Sequence, residues 1–217
     1  MLNESQADWF HLDVMDGHYV PNITFGASTV AAVRAACDHP LHVHLMIEDP
    51  MRYASEFVEA GATRVSFHPE VVADPAAVAH HIRELGAGAG VAVHPDRDLE
   101  ATRELLDLLD VVLVMTVRPG FGGQPFLQEV LPKITEARAL VEGSGSSADI
   151  EVDGGVNMST VEVTVRAGAG IVVAGSAIFD GVDPAGAARR LRARLDALEG
   201  IEMTGSKLDE LEIGDTS

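Results

Sequence analysis

Short runs of apolar, β-branched residues recur along this chain, and each is followed by a stretch with helical spacing. That rhythm restricts the fold more than any other feature, because repeated strand and helix units lay successive strands parallel in one sheet and cover it with the helices. Strands are predicted near Trp9–Val14, Leu41–Ile47, Arg64–Phe67, Gly90–Val93, Val111–Met115, Ile150–Asp153 and Ile171–Ala174. Helices are predicted near Ser28–Ala36, Met51–Ala60, Pro75–Leu85, Leu99–Leu106, Phe126–Val141, Ser159–Ala167 and Pro184–Leu198. The expected class is α/β, a TIM (β/α)8 barrel with about seven of its eight βα units present. At 217 residues and 47% hydrophobic side chains the chain suits a single domain, expected over residues 1–199. "GSGSS" at 143–147 reads as a flexible loop, and residues 200–217 as an acidic, disordered tail that adds nothing to a site.

Residues two apart in a strand share a face. In "HLDVMDG", His11 and Asp13 share one face with Trp9, while Phe10, Leu12 and Val14 take the other. "LHVHLMI" sets His42, His44 and Met46 against Leu41, Val43 and Leu45; "DIEVDGG" sets Asp149, Glu151 and Asp153 against Ile150 and Val152. In a parallel barrel the aliphatic faces pack under the helices and the polar faces look inward, near the C-terminal rim where sites of this fold lie. His11, Asp13, His44 and Asp153 would converge there as a mixed imidazole and carboxylate set for one divalent metal ion, with Zn, Fe(II), Mn and Co all compatible. A single strand histidine is ordinarily a hydrogen-bonded structural residue; agreement of parity across three strands is what favours a ligand set. His42 lies one layer deeper than His44 and reads as structural, and Asp16 with Gly17 reads as shaping a loop. His18, His39, His68, His80, His81 and His94 are assigned no role.

Glycine-rich stretches follow later strands. "PGFGGQ" contributes Gly122 and Gly123, "DGGV" places Gly154 and Gly155 beside Asp153, and "GSAIF" opens a short helix after Gly175 with Ser176 as its N-cap. Exposed backbone N–H groups and a helix N-terminus hold phosphate without a basic side chain. The net charge of −19 makes such local donors necessary for any anionic substrate, and it argues against nucleic-acid binding by phosphate neutralisation. Met15, Met46 and Met115 share the parity of the polar face and read either as pocket lining over the metal or as core methionines. Cys37 is the only cysteine, which excludes an internal disulfide and any Cys-rich metal site. No apolar run approaches the ~18 residues of a membrane helix, and the N-terminus lacks a secretion signal, so a cytoplasmic location without a membrane partner is expected.

The stretches "HLDVMDGHYVPNITFG", "HLMIEDP", "VMTVRPGFGGQPF", "EVDGGVN" and "AGSAIF" closely resemble, in this order, the ribulose-phosphate 3-epimerases, a family of metal-dependent barrels of the ribulose-phosphate-binding type. The resemblance covers most of Ala7–Phe179 and implies interconversion of D-ribulose 5-phosphate and D-xylulose 5-phosphate at C3, in the pentose phosphate pathway. It implies that His11, Asp13, His44 and Asp153 hold the metal. Asp13 would remove the C3 proton from one face and Asp153 deliver one to the other, through a cis-enediolate that the metal stabilises. It further implies phosphate binding by Gly122, Gly123, Gly154, Gly155, Gly175 and Ser176, substrate contact by His44, and a pocket cap of Met15, Met46 and Met115. A small-molecule sugar phosphate is the expected partner, and assembly as a homo-oligomer is expected. Two departures stand out. Family members carry a strand with a "SILSAD"-like motif and a helix ahead of the "ADW" found at Ala7–Trp9, so the first βα unit and its substrate-contacting serine are expected to be missing. His42 stands where the family often has Asp. The alternatives are an epimerase of a related sugar phosphate, such as allulose 6-phosphate, and an inactive truncated paralogue that only binds sugar phosphate or a partner.

Overall fold

The computed structural model of the chain describes residues 6–179 and 181–204. The seven apolar runs pair as one parallel sheet in sequence order: β1 (Phe10–Met15), β2 (Leu41–Met46), β3 (Arg64–Phe67), β4 (Gly88–Val93), β5 (Val111–Met115), β6 (Asp149–Asp153) and β7 (Ile171–Val173). Between them run α1 (Ala27–Ala36), α2 (Pro50–Glu59), α3 (Pro75–Glu84), α4 (Glu100–Arg103), α5 (Leu131–Ser144) and α6 (Val161–Arg166), with α7 (Ser176–Phe179) and α8 (Pro184–Thr204) after the last strand.

This sheet is strongly curled. His11 on β1 lies 3.0 Å from Glu151 on β6, whereas in a flat sheet strands that far apart in the order would be separated by about 24 Å. Curling sorts the side chains as their parity predicts. Val43, Leu45, Val65, Phe67, Val112, Val114, Ile150 and Val152 point outward and pack with Val30, Phe57, Val78, Ile82, Ile134 and Val141 of the helices. Ala92, Leu113 and Met115 form a separate inner group, as do Met15 and Met46 with Val20. Parallel pairing sets Asp13 opposite His44 and Met115 opposite Asp153. The polar residues are thereby delivered in layers.

Among the described residues β1 and β7 each pair on one side only, so the barrel is open between them. Seven strands stand where closure takes eight. The free-edge amides of β1 and β7 are expected to exchange with deuterium orders of magnitude faster than the amides of β3, β4 and β5. Uniform protection across all seven strands would show that the edges are covered. No helix among the described residues is long and apolar enough to cross a membrane.

Three helices begin at Asp-Pro pairs. The side chains of Asp49, Asp74 and Asp183 accept from the backbone N–H of Arg52, Ala77 and Gly186 at 3.2, 3.0 and 2.9 Å, and the proline that follows each sits where a helix has no use for its missing N–H. Several predicted boundaries shift. The helix expected over Leu99–Leu106 shrinks to α4 plus a 3-10 turn at Leu106–Leu108. α5 starts later than expected, after a 3-10 turn at Gln128–Val130, and continues to Ser144, absorbing the start of the "GSGSS" expected as a loop. Gly145, with φ +74°, is the left-handed residue that ends it. α8 runs past the expected boundary at 199 to Thr204; the rest of the expected acidic tail, from 205 onward, lies outside the described residues.

Candidate metal centre and active site

β1 supplies His11 and Asp13, β2 supplies His44 and β6 supplies Asp153, and one ligand atom from each lies within 4.8 Å of the others. Asp13 Oδ1 accepts from His11 Nε2 at 3.2 Å and from His44 Nδ1 at 3.1 Å, and Asp153 Oδ2 stands 4.0 Å from His11 Nε2. His44 is fully buried, while the Asp13 side chain keeps 40% of its surface open. The four expected ligands do converge.

Their environments drive the two acids apart. Burial alone would raise both carboxyls, but the hydrogen bonds and charges of His11 and His44 hold Asp13 far below the usual carboxylate range. Asp153 lacks such donors, and burial together with the charge of Asp13 pushes it up to about 7. Burial pushes His44 down to about 4 against the pull of Asp13, so its imidazole is neutral at pH 7. His11 goes the other way: burial opposes its charge, but hydrogen bonds to Asp13 and Glu151 raise it well above the ordinary histidine value. Two imidazoles and two carboxylates facing one point are a donor set that fits a divalent cation. A cation there competes with the proton on His11, so its affinity is expected to fall about tenfold for each pH unit below the raised His11 value, with release of that proton on binding. Titrations at several pH values check this, and a pH-independent affinity would remove the competition.

A polar layer lies beneath. His42 Nδ1 is 3.0 Å from Glu151 Oε2, His42 Nε2 is 2.7 Å from Ser66 Oγ, and Arg64, which stacks 4.5 Å above the Trp9 ring, reaches to 3.8 Å from Glu151. His42 is thus held from both ring nitrogens one layer below the cluster, the depth its place in the strand predicts. His68 departs from the expectation that it has no role. It is fully buried with Nε2 3.0 Å from His44 Nε2, and it stacks near Tyr19, whose hydroxyl donates to Glu70 at 2.9 Å. The signal that could have found it is its parity with Ser66 at the end of β3. Asp16 shapes its loop as expected, accepting from the N–H groups of His18, Tyr19 and Glu48 at 2.8, 3.0 and 2.7 Å.

A cavity of about 1010 Å³ opens over the cluster. It is lined by His11, Asp13 and Asp153, by Met15, Met46 and Met115, and by Gly122, Gly123, Gly154, Gly155, Gly175 and Ser176, so every expected binding residue except His44 shares one space. His44 is fully buried and has no surface on the cavity, hydrogen-bonded to Asp13, which does line it. Packing accounts for two of the glycines. A Cβ at Gly154 (φ +118°) would lie 2.4 Å from Val117, and one at Gly155 (φ +66°) would lie 2.6 Å from the Phe126 nitrogen. At Gly122 and Gly175 a Cβ would meet nothing within 4 Å and φ is not positive, so neither packing nor backbone conformation calls for glycine there. One expected detail is corrected. Ser176 is the first residue of α7 rather than its cap, because Ile178 and Phe179 donate to the carbonyl of Gly175.

A sequence model of the ribulose-phosphate 3-epimerase family matches residues 1–179. The chain belongs to the ribulose-phosphate 3-epimerase family. Relatives in it include the ribulose-phosphate 3-epimerase of Mycobacterium leprae (strain TN), 45% identical over 194 residues that cover 89% of this chain and 87% of the relative. That of Bacillus subtilis (strain 168) is 47% identical over 179 residues, 82% of each chain. Among solved structures, KGPDC from Streptococcus mutans superposes with a TM-score of 0.64 at 15% identity, covering 87% of this chain and 97% of that one. This last likeness concerns the barrel alone, and the family assignment rests on the sequence relatives.

Proposed function

We propose that this member of the ribulose-phosphate 3-epimerase family interconverts D-ribulose 5-phosphate and D-xylulose 5-phosphate, using Asp13 and Asp153 to move a proton on and off C3. The observation that carries the reading is the meeting of these two carboxylates with His11 and His44 beside a glycine-lined cavity. Inverting a carbon next to a carbonyl needs a base on one face and an acid on the other. Asp13, kept ionised by its two histidines, takes the C3 proton. Asp153, pushed up by burial and by Asp13, returns one to the opposite face. The two carboxyls end with their roles exchanged and the proton count unchanged, which is what a reversible epimerisation requires.

His11, Asp13, His44 and Asp153 would hold one divalent cation, and Zn, Fe(II), Mn and Co all suit such donors. Bound there, the cation supplies Lewis acidity for the negative charge that develops on the oxygens at C2 and C3. Met15, Met46 and Met115 wall the cavity and limit water at the reacting carbon. The backbone N–H groups of Gly122, Gly123, Gly155, Gly175 and Ser176 take the phosphate, giving the local attraction that a chain of net charge −19 needs.

The test is conversion of D-ribulose 5-phosphate to D-xylulose 5-phosphate by the purified chain with Mn(II), Zn(II) or Fe(II) added. Metal-dependent turnover supports the reading. The open edge between β1 and β7 favours a second one, a chain that binds sugar phosphate without turning it over. A folded, metal-loaded chain that binds the sugar phosphate and leaves it unchanged selects that alternative.

A further inference from the structure

Glu151 sits below the two catalytic carboxylates, 2% exposed, and has no part in the proton transfers described above. Both of its oxygens are engaged. Oε1 accepts from His11 Nδ1 at 3.0 Å, and Oε2 lies 3.0 Å from His42 Nδ1. The Ser66 hydroxyl, 2.7 Å from His42 Nε2, donates there and leaves the Nδ1–H of His42 for Glu151. Arg64, 3.8 Å from Oε2, adds positive charge on the same side. An ionised carboxylate can only accept, so His11 must present Nδ1–H to it. Nε2 is the nitrogen left facing Asp13 and Asp153, at 3.2 and 4.0 Å. His11, His42 and Glu151 are also close enough to hold a cation of their own. Their mutual hydrogen bonds already use those atoms, and the Arg64 guanidinium beside them disfavours a second positive ion.

We propose that Glu151, braced by His42, is a positioning residue that fixes His11 as an Nε2 ligand. The inference rests on the reading that His11, Asp13, His44 and Asp153 hold a divalent cation. A carboxylate behind a ligand histidine holds the ring in place and raises its basicity, and losing such a partner weakens metal binding by about 10–100-fold. Here the brace runs through a residue, His42, whose deeper position in the strand marks it in the sequence only as structural.

Glu151→Gln keeps the size of the side chain but removes its charge and turns one acceptor oxygen into a donor, so the two histidines can no longer both present Nδ1–H to it. Zn(II) affinity of the metal-free variant is expected to fall about 10–100-fold, with an unchanged circular dichroism spectrum. In the zinc-loaded parent protein, nitrogen NMR of labelled histidines is expected to show His11 bound through Nε2 with a slowly exchanging proton on Nδ1. This second measurement needs no variant and decides the matter even where Glu151→Gln fails to fold. Unchanged Zn(II) affinity in the folded variant, or His11 bound through Nδ1, overturns the proposal. Asp13→Asn separates the two levels: zinc affinity indifferent to that change places the cation elsewhere and removes the underlying reading as well.

Discussion

Asp13→Asn is expected to lower kcat, normalised to bound metal, by about 10²–10⁴-fold while leaving the fold intact. Asn is nearly isosteric and still offers one oxygen to His11 or His44, but it neither accepts a proton nor carries the charge that those two imidazoles surround. Asp153→Asn is expected to cause a loss of the same order from the opposite face of the substrate. Deuterium exchange sharpens the comparison. Each variant retains one carboxyl able to exchange the C3 proton on its own face, so in heavy water each is expected to label one epimer and spare the other. Near-wild-type turnover in both variants would remove the two-base mechanism.

Gly175→Asp is expected to raise KM for the sugar phosphate by about 10²-fold, since placing like charges together costs several kcal/mol and each 1.4 kcal/mol is about tenfold. The change is sterically mild. A Cβ at Gly175 meets nothing within 4 Å and the backbone angle is ordinary, so Tm is expected to stay close to that of the parent. Gly175→Ala serves as the control for the methyl group alone, with a much smaller rise in KM. An unchanged KM in the Asp variant would place the phosphate elsewhere in the cavity.

Much of the site is readable in three strands. His11 and Asp13, His42 and His44, and Glu151 and Asp153 alternate with aliphatic residues, and in the folded chain these polar side chains all point into the barrel. Less is readable where a role depends on neighbours from distant segments. His68 looks like a strand-end histidine without function because its partner, His44, is contributed by another strand. Glu151 carries the right parity, but its hydrogen bond to His11 joins residues from β1 and β6. His44 is fully buried beside partners from other segments, Asp13 and His68, and its place off the cavity is a product of that packing. Helix ends shift for a local reason, as Asp-Pro caps and the left-handed Gly145 set the limits more sharply than hydrophobic spacing does.

The sequence by itself determined the parallel βα order, the face each strand residue takes, and the group of four residues able to hold a cation. These follow from backbone geometry, because any residue in a strand points opposite to its neighbours whatever lies across the fold. Only the tertiary structure decided that β1 curls round to within hydrogen-bond reach of β6, and that Glu151 leaves His11 its Nε2. Curvature accumulates from small twists at every strand pair and from the helices packed outside, so contacts across the barrel are a property of the whole sheet and not of any stretch of chain.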